Sequence, residues 1–153
     1  MRLGLISDTH GLLRPEAQSA LRGVELIIHA GDVGRAYILP QLKKIAPVFA
    51  VRGNVDTEVW AKELPLNLVV EAGGASLYVL HNLNELDLDP KAAGFQAVIS
   101  GHTHKPVELE QRGVLYVNPG SAGPRRFQLP VTLAILEIRE NRWKTEFVTL
   151  IPG

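Results

Sequence analysis

Cysteine is absent from this 153-residue sequence. That excludes disulfides, thiolate metal sites and cysteine nucleophiles, and it suits a reducing compartment. Long hydrophobic runs are also missing. No stretch approaches the roughly 18 apolar residues that a membrane helix needs, and the apolar run Leu3–Ile6 is far too short for a signal-peptide core. Neither charge is in excess: sixteen Lys and Arg face sixteen Asp and Glu, so no overall positive field draws in nucleic acid or an anionic membrane. Repeats, low-complexity tracts and Pro/Gly/Ser linkers are lacking too. These absences leave one expectation, a single domain over residues 1–153 in the cytoplasm, with neither membrane nor nucleic acid indicated as a partner.

What is present fits that class. Hydrophobic residues make up 46% and charged residues 21%, a globular balance, and a chain of this length buries roughly two thirds of its unfolded surface without needing a staple. Leu3–Ile6 ends at Ser7-Asp8, Leu26–Ala30 at Gly31-Asp32, and Val48–Val51 at Arg52-Gly53-Asn54. Such uninterrupted apolar runs predict strands buried on both faces, as in a parallel sheet. Pro15 with Ala17, Ala20, Leu21 and Val24 predicts a first helix, and Ile38, Leu42 and Ile45 a second, provided Pro40 lies in its first turn. Further on, Leu68–Glu71 and Leu77–Leu80 flank a Gly73-Gly74 hairpin turn, and Pro90–Gly94 is expected to be a short helix before the strand Ala97–Ser100. Antiparallel strands are expected over Val107–Glu110, Val114–Asn118, Val131–Ile138 and Trp143–Leu150, with a tight turn at Glu140-Asn141. The fold class is α/β with a mixed, two-layered sheet.

Ligands of open α/β sheets bind beyond the carboxyl ends of the strands. Those ends carry Asp8-Thr9-His10, Gly31-Asp32, Gly53-Asn54 and Gly101-His102-Thr103-His104. In extended backbone, residues two apart point to one side, so Asp8 and His10 are expected to converge, as are His102 and His104. Glycines beside Asp32, Asn54 and His102 permit close backbone approach. Taken singly, each residue has an ordinary explanation: Asp as a helix cap, Gly-Asn as a turn, His81 as a satisfied or exposed histidine. Together they gather four of the five histidines. The fifth, His29, reads as structural or as a support behind the ligands. Imidazole mixed with carboxylate suits borderline divalent metals such as Mn, Fe, Co, Ni or Zn better than an all-oxygen magnesium site. Two such metals need a shared anionic ligand, and Asp32, on the central crossover, is placed to supply it.

Asp8-x-His10, Gly31-Asp32, Gly53-Asn54, His81 and Gly101-His102-x-His104 resemble the ordered motifs of the calcineurin-like metallophosphoesterases, over residues 2 to about 126. The small size and the Asn118-Pro119-Gly120-Ser121 segment with Pro124-Arg125 are similar to the short bacterial and archaeal phosphodiesterase branch; the retromer small subunit shares the fold. The resemblance implies an α-β-β-α sandwich of two mixed sheets flanked by helices. It places Asp8, His10, Asp32 and His104 on a first metal and Asp32, Asn54, His81 and His102 on a second, with manganese first and Ni, Co, Fe, Zn or Mg as alternatives. Asp32, Asn54 and His102 also take part in catalysis on this reading. An acidified bridging water is the implied nucleophile on a small phosphodiester.

The chain departs from the family pattern in places. Many relatives carry a proton-donating His after the Gly-Asn pair, where this chain has Val55. The short branch lacks that His as well, which favours diesters as substrates. Asp56 could stand in as donor but fits better as a support. Asn82 replaces a usual Gly, and its tolerance of positive φ is expected to preserve the backbone. Arg125 and Arg126 are either solvated charges or an oxyanion clamp. The rival functions are a catalytically weak interaction scaffold of the same fold, and a phosphomonoesterase or nuclease. Exposed edge strands are compatible with a homo-oligomer.

Overall fold

The computed structural model describes residues 1–140 and 142–152. Strands β1 (Arg2–Ile6), β2 (Leu26–His29) and β3 (Val48–Ala50) alternate with helices α1 (Pro15–Ala20) and α2 (Ile38–Lys43). They are followed by β4 (Asn67–Ala72), β5 (Ala75–Leu80), β6 (Ala97–Ile99), β7 (Pro106–Gln111), β8 (Val114–Pro119), β9 (Val131–Arg139) and β10 (Arg142–Ile151). Two five-stranded sheets form, in the orders β10-β9-β1-β2-β3 and β4-β5-β6-β8-β7. The first has a parallel β1-β2-β3 core to which β9 adds antiparallel, with Gly4 opposite Ile135. The second has a parallel β5-β6-β8 core with antiparallel edges β4 and β7. Both are mixed, as expected.

The apolar runs bury both faces of each central strand. Leu3, Leu5 and Ile28 of the first sheet pack against Leu77, Val79 and Ile99 of the second, all of them fully buried. Each such side chain contributes on the order of 1.5–3 kcal/mol relative to exposure. On the outer face of the first sheet, Ile6 and Ile27 pack against Ala17 and Leu21 of the α1 segment and Ile38 and Leu42 of α2. A Cβ at Gly4 would overlap Leu21, so glycine here lets α1 lie close on the sheet. Pro40 is the third residue of α2 and sits within its first turn, where no intrahelical donor is lost.

The second outer face is covered differently. A loop with a single 3₁₀ turn, Leu83–Glu85, lays Leu86, Leu88 and Phe95 over Tyr78, Leu80 and Val98. Residues Pro90–Gly94 form a hydrogen-bonded turn rather than the expected helix. Asp89 Oδ1 accepts from the Lys91 N–H (3.1 Å), and Gly94 at φ 87° leaves the helical region. Asn141, in the expected turn between β9 and β10, lies outside the described residues. Among the described residues, no helix is long and apolar enough to cross a membrane. The fold's consequence for function is one rim, where the C-terminal ends of β1, β2, β3, β5 and β6 deliver all seven predicted ligands.

Candidate metal centre

Six of those residues form two clusters. Asp8, His10 and His104 offer ligand atoms within 4.8 Å of one another, and so do Asp32, His81 and His102. Asp32 joins the two: its Oδ2 lies 3.1 Å from His81 Nε2 and 3.6 Å from His10 Nε2. Asp8 Oδ1 lies 3.3 Å from His104 Nε2, 3.7 Å from His10 Nε2 and 3.9 Å from His81 Nε2. Asn54 stands exposed on the same rim, beside His81 in the wall of a cleft.

The backbone brings them together in an unexpected way. The ligand pairs do not converge from extended chain: Asp8 (φ 55°), His10 (46°), Asp32 (56°), His102 (74°) and His104 (65°) all adopt left-handed conformations. Each costs on the order of 1 kcal/mol and persists only where the surroundings impose it. Here they do. The Asp8 N–H donates to Gly31 O (3.0 Å) and the His10 N–H to Asp32 O (2.9 Å), stitching the first loop to the second. Asp8 Oδ2 accepts from Ser7 Oγ (2.6 Å) and from the His102 N–H (3.1 Å). Gly101 is pressed so closely on this pair that a Cβ would stand 2.6 Å from Asp8 Oδ2.

Burial would raise the Asp8 carboxyl, yet the imidazoles of His10 and His104 close to Oδ1, the Ser7 hydrogen bond and the nearby His81 charge hold it far below the usual carboxylate range. Asp32 is likewise lowered: burial opposes the shift, and His81 and the Val55 N–H outweigh it. His81 moves the other way, raised by the two carboxylates against its burial. Its Nδ1 is 2.7 Å from Ala30 O, and donating there leaves the Nε2 lone pair directed at the carboxylates. Asp8 Oδ1 and His81 Nε2 are buried without a hydrogen-bond partner. Orphaned polar atoms of this kind are costly, and divalent cations, one in each cluster, would satisfy them. His104 Nδ1 is also unpartnered, so that ring lacks the usual outer acceptor. The donor set fits a metal.

Residues 1–141 match the model of the calcineurin-like phosphoesterase superfamily domain. The chain belongs to that superfamily. A probable metallophosphoesterase of Methanothermobacter thermautotrophicus is 34% identical to this phosphoesterase, over 97% of this chain and 92% of its own. Among solved structures, one described as a novel archaeal phosphodiesterase superposes with TM-score 0.79 at 26% identity, covering 97% of this chain and 100% of that one. Zinc-complexed Vps29 of Entamoeba histolytica superposes with TM-score 0.75 at 21% identity, covering 98% and 99%. The last likeness is one of fold.

Behind the ligands the phosphoesterase carries supports that sequence reading finds only in part. Asp56 is buried and accepts three backbone N–H groups, from Val33 (3.1 Å), Gly34 (2.9 Å) and Gly53 (2.9 Å). Its carboxylate is thereby engaged by the loops, which it supports rather than replacing the His absent at Val55. Asn118 bridges Gly101 O (2.9 Å) and Thr103 Oγ1 (3.0 Å) with its amide, fixing the turn that carries His102 and His104. Ser121 Oγ donates to Asp8 O (3.0 Å). The Asn118–Ser121 segment thus clamps two ligand loops; its asparagine and serine within a glycine turn are the available sequence signal.

His29 also belongs behind the site. Its Nδ1 accepts from the Gly31 N–H (3.1 Å), so its Nε2 donates to Thr9 Oγ1 (3.0 Å). Complete burial pushes it down to about 4 from 6.5, against Asp8, Asp56 and Asp32 and with His81. The unfolded chain therefore protonates His29 first: stability is whole above about pH 6.5 and declines as pH falls toward 4. Between about pH 7 and about pH 4.5, urea unfolding of the wild type is expected to lose about 2–3 kcal/mol more than that of His29→Gln. Equal losses would remove His29 from the account.

Other expectations resolve simply. Asn82 has φ −111°, so no left-handed tolerance is needed there; its Oδ1 caps the 3₁₀ turn through the Asn84 N–H (3.1 Å). Val55 is half exposed on the rim with no proton to give. Arg125 and Arg126 are exposed; Arg126 borders a shallow depression with Thr103 and Lys105, next to the His102–His104 turn, and Arg125 does not.

Proposed function

We propose that this chain is a phosphodiesterase of small diesters that works with two divalent cations, manganese first among them. Asp8, His10, Asp32 and His104 would hold one, and Asp32, Asn54, His81 and His102 the other. The observation that carries this reading is Asp32 Oδ2, set 3.1 Å from one cluster's His81 and 3.6 Å from the other's His10. When bound, such a pair supplies an acidified water and offsets charge on the phosphoryl oxygens.

The chain's own part is positioning. Asp32 Oδ1 is held by the Val55 N–H (3.0 Å), which leaves Oδ2 free for cations. The exposed Asn54 amide is placed to donate to a phosphate oxygen, and catalytic parts go to Asn54, Asp32 and His102. Positioned general acids contribute about 10²–10⁴-fold, and Val55 cannot act as one. The likeness to an archaeal phosphodiesterase supports diesters over monoesters.

The test is turnover of bis(4-nitrophenyl) phosphate and of the 4-nitrophenyl monoester with Mn, Ni, Co or Mg added. Metal-stimulated hydrolysis of the diester, about tenfold or more above the monoester, is expected. If neither ester turns over, the enzyme reading fails; if the monoester is preferred, the diester assignment does.

A further inference from the structure

Strand β7 closes one edge of the second sheet, with β8 as its sole neighbour among the described residues. After Pro106 every residue of the strand is exposed, and apolar and charged side chains alternate through Val107, Glu108, Leu109 and Glu110. The register fixes which way each one faces, because residues paired across a sheet share a face. Glu108 pairs with Val117 and Glu110 with Leu115. Val117 is buried in the core between the sheets and Leu115 packs against it, so both carboxylates lie on the inner face. Val107 and Leu109 pair with Asn118 and Tyr116 on the outer face, where they are 45% and 52% exposed. This reverses the ordinary sandwich strand, whose apolar residues face inward.

The apolar core therefore stops at β8, and beyond it the sheets leave a cleft of about 540 Å³ lined by Glu108, Glu110, Leu115 and Trp143. Trp143 pairs with Ile138, itself in the core, so the indole faces the gap from the first sheet. Gly113, at the β7–β8 turn, also lines the cleft, whereas the other end of β8 carries Asn118 beside the His102–His104 turn. The cleft thus lies at the end of the sandwich away from the metal centre. Among the described residues, neither carboxylate has an ion-pair partner. Inward charges on an edge strand guard it against pairing with a copy of itself. In both antiparallel two-fold registers that overlap nearly all of β7, carboxylates do meet: Glu108 falls opposite Glu110, or opposite Glu108 itself. The same charges leave the edge open to a strand that carries basic residues at those positions.

We propose that β7 takes up an extended segment of a partner protein, in which basic and apolar residues alternate, as an added strand of the second sheet. Lysine or arginine side chains of that segment pair with Glu108 and Glu110 and reach into the cleft against the Trp143 ring. Its alternate apolar residues continue the row of Val107 and Leu109. Backbone groups on the open side of β7 supply the hydrogen bonds, and the carboxylates choose the sequence. The surface is independent of the reaction assigned to the metal centre.

The experiment titrates the whole protein with acetylated and amidated peptides of about eight residues, an ordinary strand length. One alternates valine and arginine, one alternates valine and glutamate, and one holds its valines and arginines in separate blocks. By calorimetry the alternating basic peptide is expected to bind about tenfold more tightly than the block peptide, the scale of two cross-strand charge pairs, and the acidic one not at all. Glu108→Gln/Glu110→Gln should lose about the same factor, whereas Glu16→Gln on α1 should lose nothing. Metal-stimulated turnover should be unchanged in both variants. Amide resonances of β7 and the Trp143 indole N–H should shift on binding while those of the rim stay in place. Binding that ignores the order of the peptide's residues, or that survives the double variant, is charge attraction without strand addition and overturns the inference. No binding at all overturns it too, as does a dimer in sedimentation that Leu109→Lys breaks, which would give the edge to a second copy.

Discussion

Replacing Asp32 by Asn is expected to lower metal-stimulated diester turnover on the order of 10³-fold while leaving the fold intact. The reason lies in how the two carboxylate oxygens are divided. Oδ1 accepts from the Val55 N–H at 3.0 Å, and an amide oxygen can take over that bond. The amide nitrogen then occupies the position of Oδ2, 3.1 Å from His81 Nε2 and 3.6 Å from His10 Nε2. It has neither a lone pair nor a charge to share between two cations. The fold holds the Asp32 carboxyl below its ordinary range despite the repulsion from Asp8, so losing that charge should lower the thermal midpoint modestly without added metal. The midpoint increase that Mn gives the wild type should shrink, because a ligand stabilises only in proportion to its affinity. Calorimetric titration with Mn and the diester assay would check both halves. Wild-type stoichiometry with wild-type turnover would show that Asp32 is not the bridge.

The second large effect concerns a residue that touches no substrate. Asp56→Ala should destabilise the protein by about 3–5 kcal/mol, because three backbone donors lose a charged acceptor in a buried place. Those donors belong to Val33, Gly34 and Gly53, which neighbour Asp32 and Asn54. Metal affinity should also fall about 10–100-fold, as it does when outer partners of ligands are removed. Asp56→Asn separates the causes: its amide oxygen can keep the bonds from Val33 and Gly53 while its N–H groups face the Gly34 donor, so it should lose less than alanine. Urea unfolding and Mn titration of both variants measure this. A drop below about 1 kcal/mol would mean that water replaces the carboxylate.

The parallel cores and the rim are legible in the sequence because their signal is local. Leu3–Ile6 and Leu26–Ala30 are apolar runs that stop at Ser7-Asp8 and Gly31-Asp32, and such runs need a sheet covered on both faces. What the sequence hides is the way the ligands turn inward. A period-two rule predicts that Asp8 and His10 share a side, whereas both sit in left-handed backbone held by Gly31 and Asp32 carbonyls. Outside glycine that conformation leaves only a weak signature, an enrichment of Asn, Asp and His, which does not say which of them adopt it. Asn118 is hidden for another reason: its partners Gly101 and Thr103 lie 17 and 15 residues away, and no local pattern records such a contact. The thin outer layer over the second sheet follows the same logic, since Asp89 competes for the backbone that a Pro90–Gly94 helix would use.

Five left-handed residues among the proposed ligands also bear on how this chain can change over time. Each holds the backbone in a conformation that favours glycine, so the function itself stores tension in the rim. Exchange of such a residue for glycine removes a ligand and relaxes the loop in one step. Mutational drift toward inactivity therefore runs with the folding free energy rather than against it. Selection for turnover has to oppose that bias at Asp8, His10, Asp32, His102 and His104, and a lineage freed from it can keep the sandwich while its rim goes quiet.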